Sequence, residues 1–167
     1  MDRLYILRHG IAVPSGSPDF PDDDRPLTKK GEQRVLEIGH GLKHLGVIVD
    51  RIVTSPLPRA YRTAEIVAGV LGDPNLLETA EALKASESAG SIAEWVATRT
   101  EDSLMIVGHN PSLSELVGLL AVGESNSTLC ELRRGGIAAM VRRPEDTSRW
   151  ALDWIARPRL IRRRSDR

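Results

Sequence analysis

The chain has 167 residues, 41% hydrophobic and 28% charged, with 23 basic against 23 acidic side chains and a single cysteine. That is the make-up of one globular domain, large enough to fold around its own core without disulfide or metal staples. The charge balance excludes a strongly basic nucleic-acid binder and a disordered acidic chain, and one cysteine excludes an intrachain disulfide. The balance hides an asymmetry: residues 157–167 hold six arginines against one aspartate, net +5, which leaves net −5 on the rest. Apolar runs such as Val117–Val122 are far shorter than the ~20 residues that cross a membrane. The N-terminal stretch Leu4–Leu7 is closed by Arg8, too short for a signal-peptide core of about 7–15 residues. A cytoplasmic protein is expected.

In chain order, Arg3–Leu7 reads as a short strand. Residues 14–26, with four prolines and four aspartates, read as a surface loop. Thr28 is an N-cap for a helix to about Leu45, whose buried face carries Val35, Ile38, Leu42 and Leu45 at spacings of three and four. Arg51–Thr54 is a second strand. Ser55 and Pro56 form a cap followed by proline at the first helical position, opening a helix with Ala60, Ala64, Val67, Ala68 and Leu71 as its buried stripe and Gly72 as its stop. Residues 76–87 are ambiguous, a short strand and then loop. A third helix covers Ala89–Arg99, Ser103–Val107 is a buried strand, and Asn110–Pro111 repeats the cap-then-proline start of a fourth helix reaching Val122. Gly123–Ser127 reads as loop. Ile137–Val141 and Trp150–Ile155 are two further strands joined by a turn at Pro144–Thr147. The chain shows no repeat, low-complexity tract or linker, so residues 1–160 form one domain and 161–167 a basic tail. Strands separated by helices imply crossovers, a mainly parallel sheet and helices on both faces. Such sheets bind ligands outside the carboxyl ends of their strands.

Three segments occupy that position. Arg8, His9 and Gly10 follow the first strand; Thr54, Ser55 and Pro56 follow the second, with Arg59 one turn into its helix; Gly108, His109, Asn110 and Pro111 follow the buried strand. Two of the three abut helix N-termini, whose free N–H groups and dipole favour anions. Arginine is the planar, multi-donor side chain suited to phosphate, and histidine can be a nucleophile or a proton carrier. A lone Arg-His-Gly is most often a surface turn, and a lone Gly-His-Asn-Pro is a good helix start. Both together at equivalent places point to a phosphate pocket with a histidine nucleophile.

The chain resembles the histidine phosphatase superfamily, the phosphoglycerate mutase-like proteins, and within it the short SixA-type phosphohistidine phosphatases. The resemblance rests on Leu7–Gly10, on Arg25–Thr28 with Gly31, on Thr54–Ala60 with Thr63 and Ala64, and on Val107–Pro111. It implies a three-layer α/β/α sandwich that works without metal or cofactor. It implies that His9 is phosphorylated during turnover, that Arg8 and Arg59 grip the phosphoryl group, and that His109 contacts its oxygens, with Gly10 and Asn110 completing the binding site. Two positions depart from the pattern. Arg62 stands where relatives often have glutamine. The acidic proton donor of many relatives has no counterpart in register: Glu78, Glu81 and Glu87 surround the position, which holds Ala82. An alkoxide leaving group needs a general acid, worth about 10²–10⁴-fold; the imidazole of a phosphohistidine leaves more easily. The expected activity is therefore dephosphorylation of phosphohistidine on a signalling protein, such as a histidine phosphotransfer domain, by a monomer that binds neither nucleic acid nor membrane. The alternatives are a phosphomonoesterase for a small metabolite, with one of the three glutamates as acid, and a non-catalytic phosphoprotein-binding module, against which the intact His9 argues.

Other features have plain readings. His40 and His44 share a helix face, but no third metal ligand is evident and they read as solvated. Cys130 lacks an arginine six positions on, where Gly136 stands, and reads as a packing residue. Asp22, Asp23 and Asp24 read as a solvated loop; Arg162–Arg164 would suit an acidic partner or nucleic acid, and their plain reading is a frayed, solvated terminus. With 4% aromatics there is little stacking surface for single-stranded nucleic acid.

Overall fold

The computed structural model describes residues 1–124, 129–143 and 146–163. Its elements run β1 (Arg3–Arg8), α1 (Lys29–His44), β2 (Arg51–Thr54), α2 (Pro58–Leu71), β3 (Leu77–Thr79), α3 (Ala89–Ala97), β4 (Ser103–Gly108), α4 (Ser112–Val122), β5 (Ile137–Arg143), β6 (Asp146–Ala156) and α5 (Pro158–Ile161). One six-stranded sheet has the order β3-β2-β4-β1-β5-β6. The first four of these are mutually parallel, and β5 and β6 add an antiparallel hairpin beside β1. The sheet is thus mainly parallel, as expected. β6 already begins at Asp146, within the span expected as a turn; Pro144 and Glu145 lie outside the described residues, as do 125–127 of the expected loop and 164–167 of the tail.

The three layers follow from the two-residue period of the central strands. Tyr5, Leu7, Met105, Val107, Ile137 and Ala139 face one side and pack with Val35, Ile38 and Leu42 of α1 and Ala60, Ala64 and Val67 of α2. Leu4, Ile6, Leu104, Ile106, Ala138 and Met140 face the other and pack with Ile92 and Val96 of α3 and Leu113, Leu116 and Val117 of α4. Each of these large side chains contributes about 1.5–3 kcal/mol through burial. Leu45 falls outside the expected stripe: it is the C-cap of α1 and 56% exposed, and Val47 in the next turn is the buried residue. Leu71, at the last position of α2, is only partly buried.

Two helix starts also differ from expectation, for one reason. The Ser55 hydroxyl accepts from Leu57 N–H (3.3 Å) and lies against His109, so α2 starts two residues later with Pro58 first and Leu57 as N-cap. Asn110 gives its side-chain amide to the Leu132 carbonyl (3.0 Å), and α4 starts at Ser112 with Pro111 as N-cap. Both expected caps are spent on the site instead. Thr28 does cap α1, accepting from Gly31 N–H at 3.0 Å.

That cap ties α1 to the chain leaving β1. Thr28 donates its N–H (2.9 Å) and its hydroxyl (3.2 Å) to the Ile11 carbonyl, Ala12 bridges Leu27, and Val13 N–H donates to Pro26 (2.9 Å). Gly31 makes the approach possible, because a Cβ there would sit 2.0 Å from the Ile11 oxygen. Backbone cannot yield as a side-chain tip can. Gly31→Ala is expected to destabilise the domain by about 1–3 kcal/mol, as overpacking does, read as a lower urea midpoint at unchanged m-value; an unchanged midpoint would show that the loop gives way freely.

Candidate active site

The carboxyl ends of β1, β2 and β4 meet at one place because β4 lies between the other two. His9 N–H donates to the Gly108 carbonyl (3.1 Å) and Ser55 N–H to Val107 (2.9 Å), locking the three ends together. His9 and His109 therefore sit with ring centroids 5.2 Å apart, both buried.

His9 has a defined tautomer. Its Nδ1 lies 2.7 Å from the Gly10 carbonyl oxygen, which can only accept, so Nδ1 carries the proton and Nε2 the lone pair. Burial first, then the neighbouring His109, Arg59 and Arg8, push the pKa of His9 down to about 3, against a smaller upward pull from the Gly10 carbonyl. His109 is likewise lowered to about 3, by burial and then by Arg59, Arg8 and Arg25. Both rings are neutral at pH 7. The Nε2 of His109 lies 2.9 Å from the Ser55 hydroxyl, and its buried Nδ1 has no partner.

The arginines are held by main-chain carbonyls, not by carboxylates. Arg8 Nη1 donates to Leu132 (2.8 Å), the same carbonyl that accepts from Asn110. Arg59, 3% exposed, donates from Nη1 to the carbonyls of Asp22 (3.0 Å) and Asp23 (3.2 Å). Both guanidiniums have pKa values lowered chiefly by burial, and each keeps a buried Nε without a partner. Arg8, Arg59 and His109 thus each retain a buried, unused nitrogen near His9. Buried polar groups are normally satisfied, so this clustering marks a place built for an acceptor-rich ligand. A tetrahedral oxyanion fits that donor set.

All six residues expected from the sequence lie here, in different capacities. Gly10 uses its carbonyl on His9 and its N–H on Thr63 Oγ1 (3.0 Å), and a Cβ on it would meet Val35 at 2.5 Å. Asn110 spends one amide hydrogen on Leu132 and keeps the second, while its buried Oδ1 has no partner, so it retains both a donor and an acceptor.

Several contributors escaped sequence reasoning. Arg25 donates to Val13 (2.7 Å) and Asp22 (3.0 Å) carbonyls and stands near enough to Arg59 and His109 to lower both pKa values. Its signal was present in the motif Arg25–Thr28. Asp22 and Asp23 are more than a solvated loop, because their backbone oxygens hold Arg59. Thr63 donates its hydroxyl to the Arg59 carbonyl (2.7 Å) while accepting from Gly10. Arg62, by contrast, lies outside the site: it bridges Glu32 (2.6 Å) and Glu65 (2.7 Å), tying α2 to α1. Glu78 is gripped by two nitrogens of Arg99 (3.2 Å each), Glu81 pairs with Lys84 (2.6 Å), and Glu87 lies within electrostatic reach of the same lysine. Among the described residues no group of three His, Cys, Asp or Glu is placed to hold a metal ion. Cys130 is half-buried at the edge of the α3/α4 core, with its thiol pKa raised by burial.

The family model of the histidine phosphatase superfamily (branch 1) matches residues 4–85, which carry His9, Arg25 and Arg59. An uncharacterised protein of Picosynechococcus is 36% identical over 142 residues, covering 83% of this chain and 84% of that one. The chain belongs to the histidine phosphatase superfamily. The phosphohistidine phosphatase SixA of Escherichia coli K12 is 29% identical over 126 residues, 74% of this chain and 76% of that protein. The solved structure of the protein histidine phosphatase SixA complexed with tungstate superposes with a TM-score of 0.82 at 26% identity, over 96% of this chain and 99% of that one. This superfamily member is thus SixA-like in both sequence and fold.

The neutral, buried histidines link the site to stability. In the unfolded chain a histidine ionises near 6.5, in the folded site near 3. The unfolded state therefore binds more protons below pH 6.5, and stability present above that value is lost as pH falls toward 3. Urea midpoints are expected to drop across this window, and the double variant His9→Gln/His109→Gln to flatten the drop. An equally steep decline in the variant would assign the acid sensitivity to other groups.

Proposed function

We propose that this protein is a metal-independent phosphohistidine phosphatase that dephosphorylates a protein in the cytoplasm through a phosphoryl group carried on His9. The observation that carries the reading is the buried His9 with its proton fixed on Nδ1 and its lone pair on Nε2, ringed by unused donors of Arg8, Arg59 and His109. SixA, whose name gives phosphohistidine as its substrate, supports the choice of substrate.

In the first step the Nε2 lone pair of His9 attacks phosphorus in line. A P–N bond forms to His9 while the substrate's P–N bond breaks, and its imidazole leaves with the bonding pair. Charge develops on the His9 ring as it becomes phosphorylated, and the Gly10 carbonyl, already hydrogen-bonded to Nδ1–H, stabilises that charge more in the transition state than before it. Arg8 and Arg59 neutralise the phosphoryl oxygens. With the Ser55 hydroxyl donating to His109 Nε2, the Nδ1–H of His109 is aimed as a third donor. In the second step water attacks phosphorus, the P–N bond to His9 breaks, and the ring returns to its neutral form with inorganic phosphate as product. Guanidiniums repel a metal cation and bind the anion directly, so positioning and electrostatics supply the catalysis.

Glu78 is tied to Arg99 and Glu81 to Lys84, and Ala82 stands between. With no acid aimed at the leaving group, the rate should follow leaving-group basicity. Assayed in EDTA, a phosphohistidine protein is expected to turn over fast, p-nitrophenyl phosphate slowly and alkyl phosphates barely at all. Glu78→Gln, Glu81→Gln and Glu87→Gln are expected to leave these rates nearly unchanged. Fast alkyl phosphate turnover, lost by ~10²-fold or more in one of them as for removal of a general acid, would instead make the protein a small-metabolite phosphomonoesterase.

A further inference from the structure

A cleft of about 620 Å³ opens beside Arg8 and Gly10, and neither His9 nor His109 lines it. Its floor is Val35, Ile38 and Pro158. Besides Arg8 it is lined by six arginines: Arg34 on α1, Arg133 and Arg134 before β5, and Arg157, Arg159 and Arg162 around α5. Glu131 is the one acidic residue among its described lining. A second cleft, lined by Lys30, Arg34, Arg159 and Arg162 with Glu37, continues it along α1.

The topology places this groove at the site's own edge. β6 runs parallel to β1, because each is antiparallel to β5, so α5 leaves the sheet at the same edge as His9. Gly135 N–H donates to the Arg8 and His9 carbonyls (3.0 Å each), which holds Arg133 and Arg134 against the nucleophile's strand. The α5 segment is fixed: Ile161 is buried, its carbonyl lies where a Cβ of Gly41 would fall, and Arg163 N–H donates to Glu37 (2.9 Å).

These charges are poorly compensated. Arg133 reaches Glu131 at 3.5 Å and Arg162 reaches Glu37 at 3.7 Å. Arg34, Arg134, Arg157 and Arg159 have no ion-pair partner among the described residues. Arg134 and Arg133 bear on Arg8 as like charges. Cations gathered in a concavity focus a positive potential that raises the local concentration of anions. Two clefts end to end, spanning from Arg8 past two turns of α1, exceed what one phosphoryl group occupies.

We propose that this arginine groove is the docking surface for an acidic segment of the phosphoprotein substrate, so that aspartates and glutamates flanking the phosphorylated residue seat on Arg34, Arg134 and Arg159 while the phosphoryl group enters beside Arg8. The proposal rests on the reading of the site as a protein phosphatase. The extended, open groove favours a carboxylate-rich polypeptide over a compact polyphosphate.

The test compares the wild type with Arg34→Glu/Arg159→Glu and the milder Arg34→Gln/Arg159→Gln, using two phosphohistidine peptides whose flanks are either glutamate or glutamine. The wild type should prefer the glutamate peptide by about tenfold in kcat/KM, through KM, with the preference fading at high salt, as for electrostatic steering. Both variants should lose the preference while their p-nitrophenyl phosphate turnover stays unchanged. Equal rates on the two peptides, or equal losses on peptide and p-nitrophenyl phosphate, would overturn the docking surface. Binding of an unphosphorylated glutamate-flanked peptide, followed by fluorescence anisotropy, separates docking from chemistry: binding lost in the variants supports the groove even if neither phosphopeptide is hydrolysed, a result that would sink only the phosphatase reading. Binding of tripolyphosphate that depends on Arg34 and Arg159, with no detectable binding of the glutamate-flanked peptide, would assign the groove to a small polyanion and overturn the proposal.

Discussion

The site depends on the peptide unit of Gly10. Its carbonyl fixes the proton of His9, and its N–H is fixed in turn by Thr63, whose hydroxyl also holds the carbonyl of Arg59. One small network therefore sets the tautomer of His9 and ties it to the first turn of the helix that presents Arg59. Gly10 can serve because its Cα is pressed against Val35 of α1, where no side chain would fit. Moving that peptide would release His9 to adopt the other tautomer, in which Nε2 carries the proton and cannot attack.

Around this unit the protein keeps charges under unfavourable conditions. Arg59 is buried with carbonyl partners and no carboxylate in contact, and Arg8 is crowded by Arg134 and Arg133 against the pull of Glu131, while Arg25 adds a third cation that is paired with Asp22 at 3.0 Å. Burying cations without counter-charges costs stability. In the proposed reaction the phosphoryl group offsets that cost, since the donors are already oriented and need little reorganisation. Burial, reinforced by these cations, keeps His9 and His109 neutral and leaves a lone pair on Nε2 of His9. Stability given up in the folded protein and affinity for phosphate are two aspects of one arrangement.

Much of this was legible in the sequence. His9, Arg8, Arg59 and His109 are side chains placed by strand ends, and strand ends can be read from apolar runs and the prolines and glycines after them. The Thr28 cap and the two apolar stripes were legible for the same reason, being local and periodic. What escaped depends on contacts between distant segments through the main chain. The carbonyls of Asp22, Asp23 and Leu132 that hold the arginines carry no residue signature, so the acidic loop read as merely solvated. Ser55 and Asn110 looked like helix caps because local chemistry favours that use, and tertiary partners took both. Arg162 read as part of a frayed tail, and Arg157 and Arg159 drew no reading beyond their charge, because their significance lies in a groove shared with α1 and the connection into β5, which only the folded chain assembles.

The central claim is that the phosphoryl group passes through Nε2 of His9. Rapid mixing with a ³²P-labelled phosphohistidine peptide, quenching in alkali to preserve the acid-labile P–N bond, and mapping the label by proteolysis tests it most directly. The account predicts transient label on the peptide that contains His9, and neither label nor turnover in a folded His9→Ala variant. Label on another residue, or turnover by that variant, would contradict it.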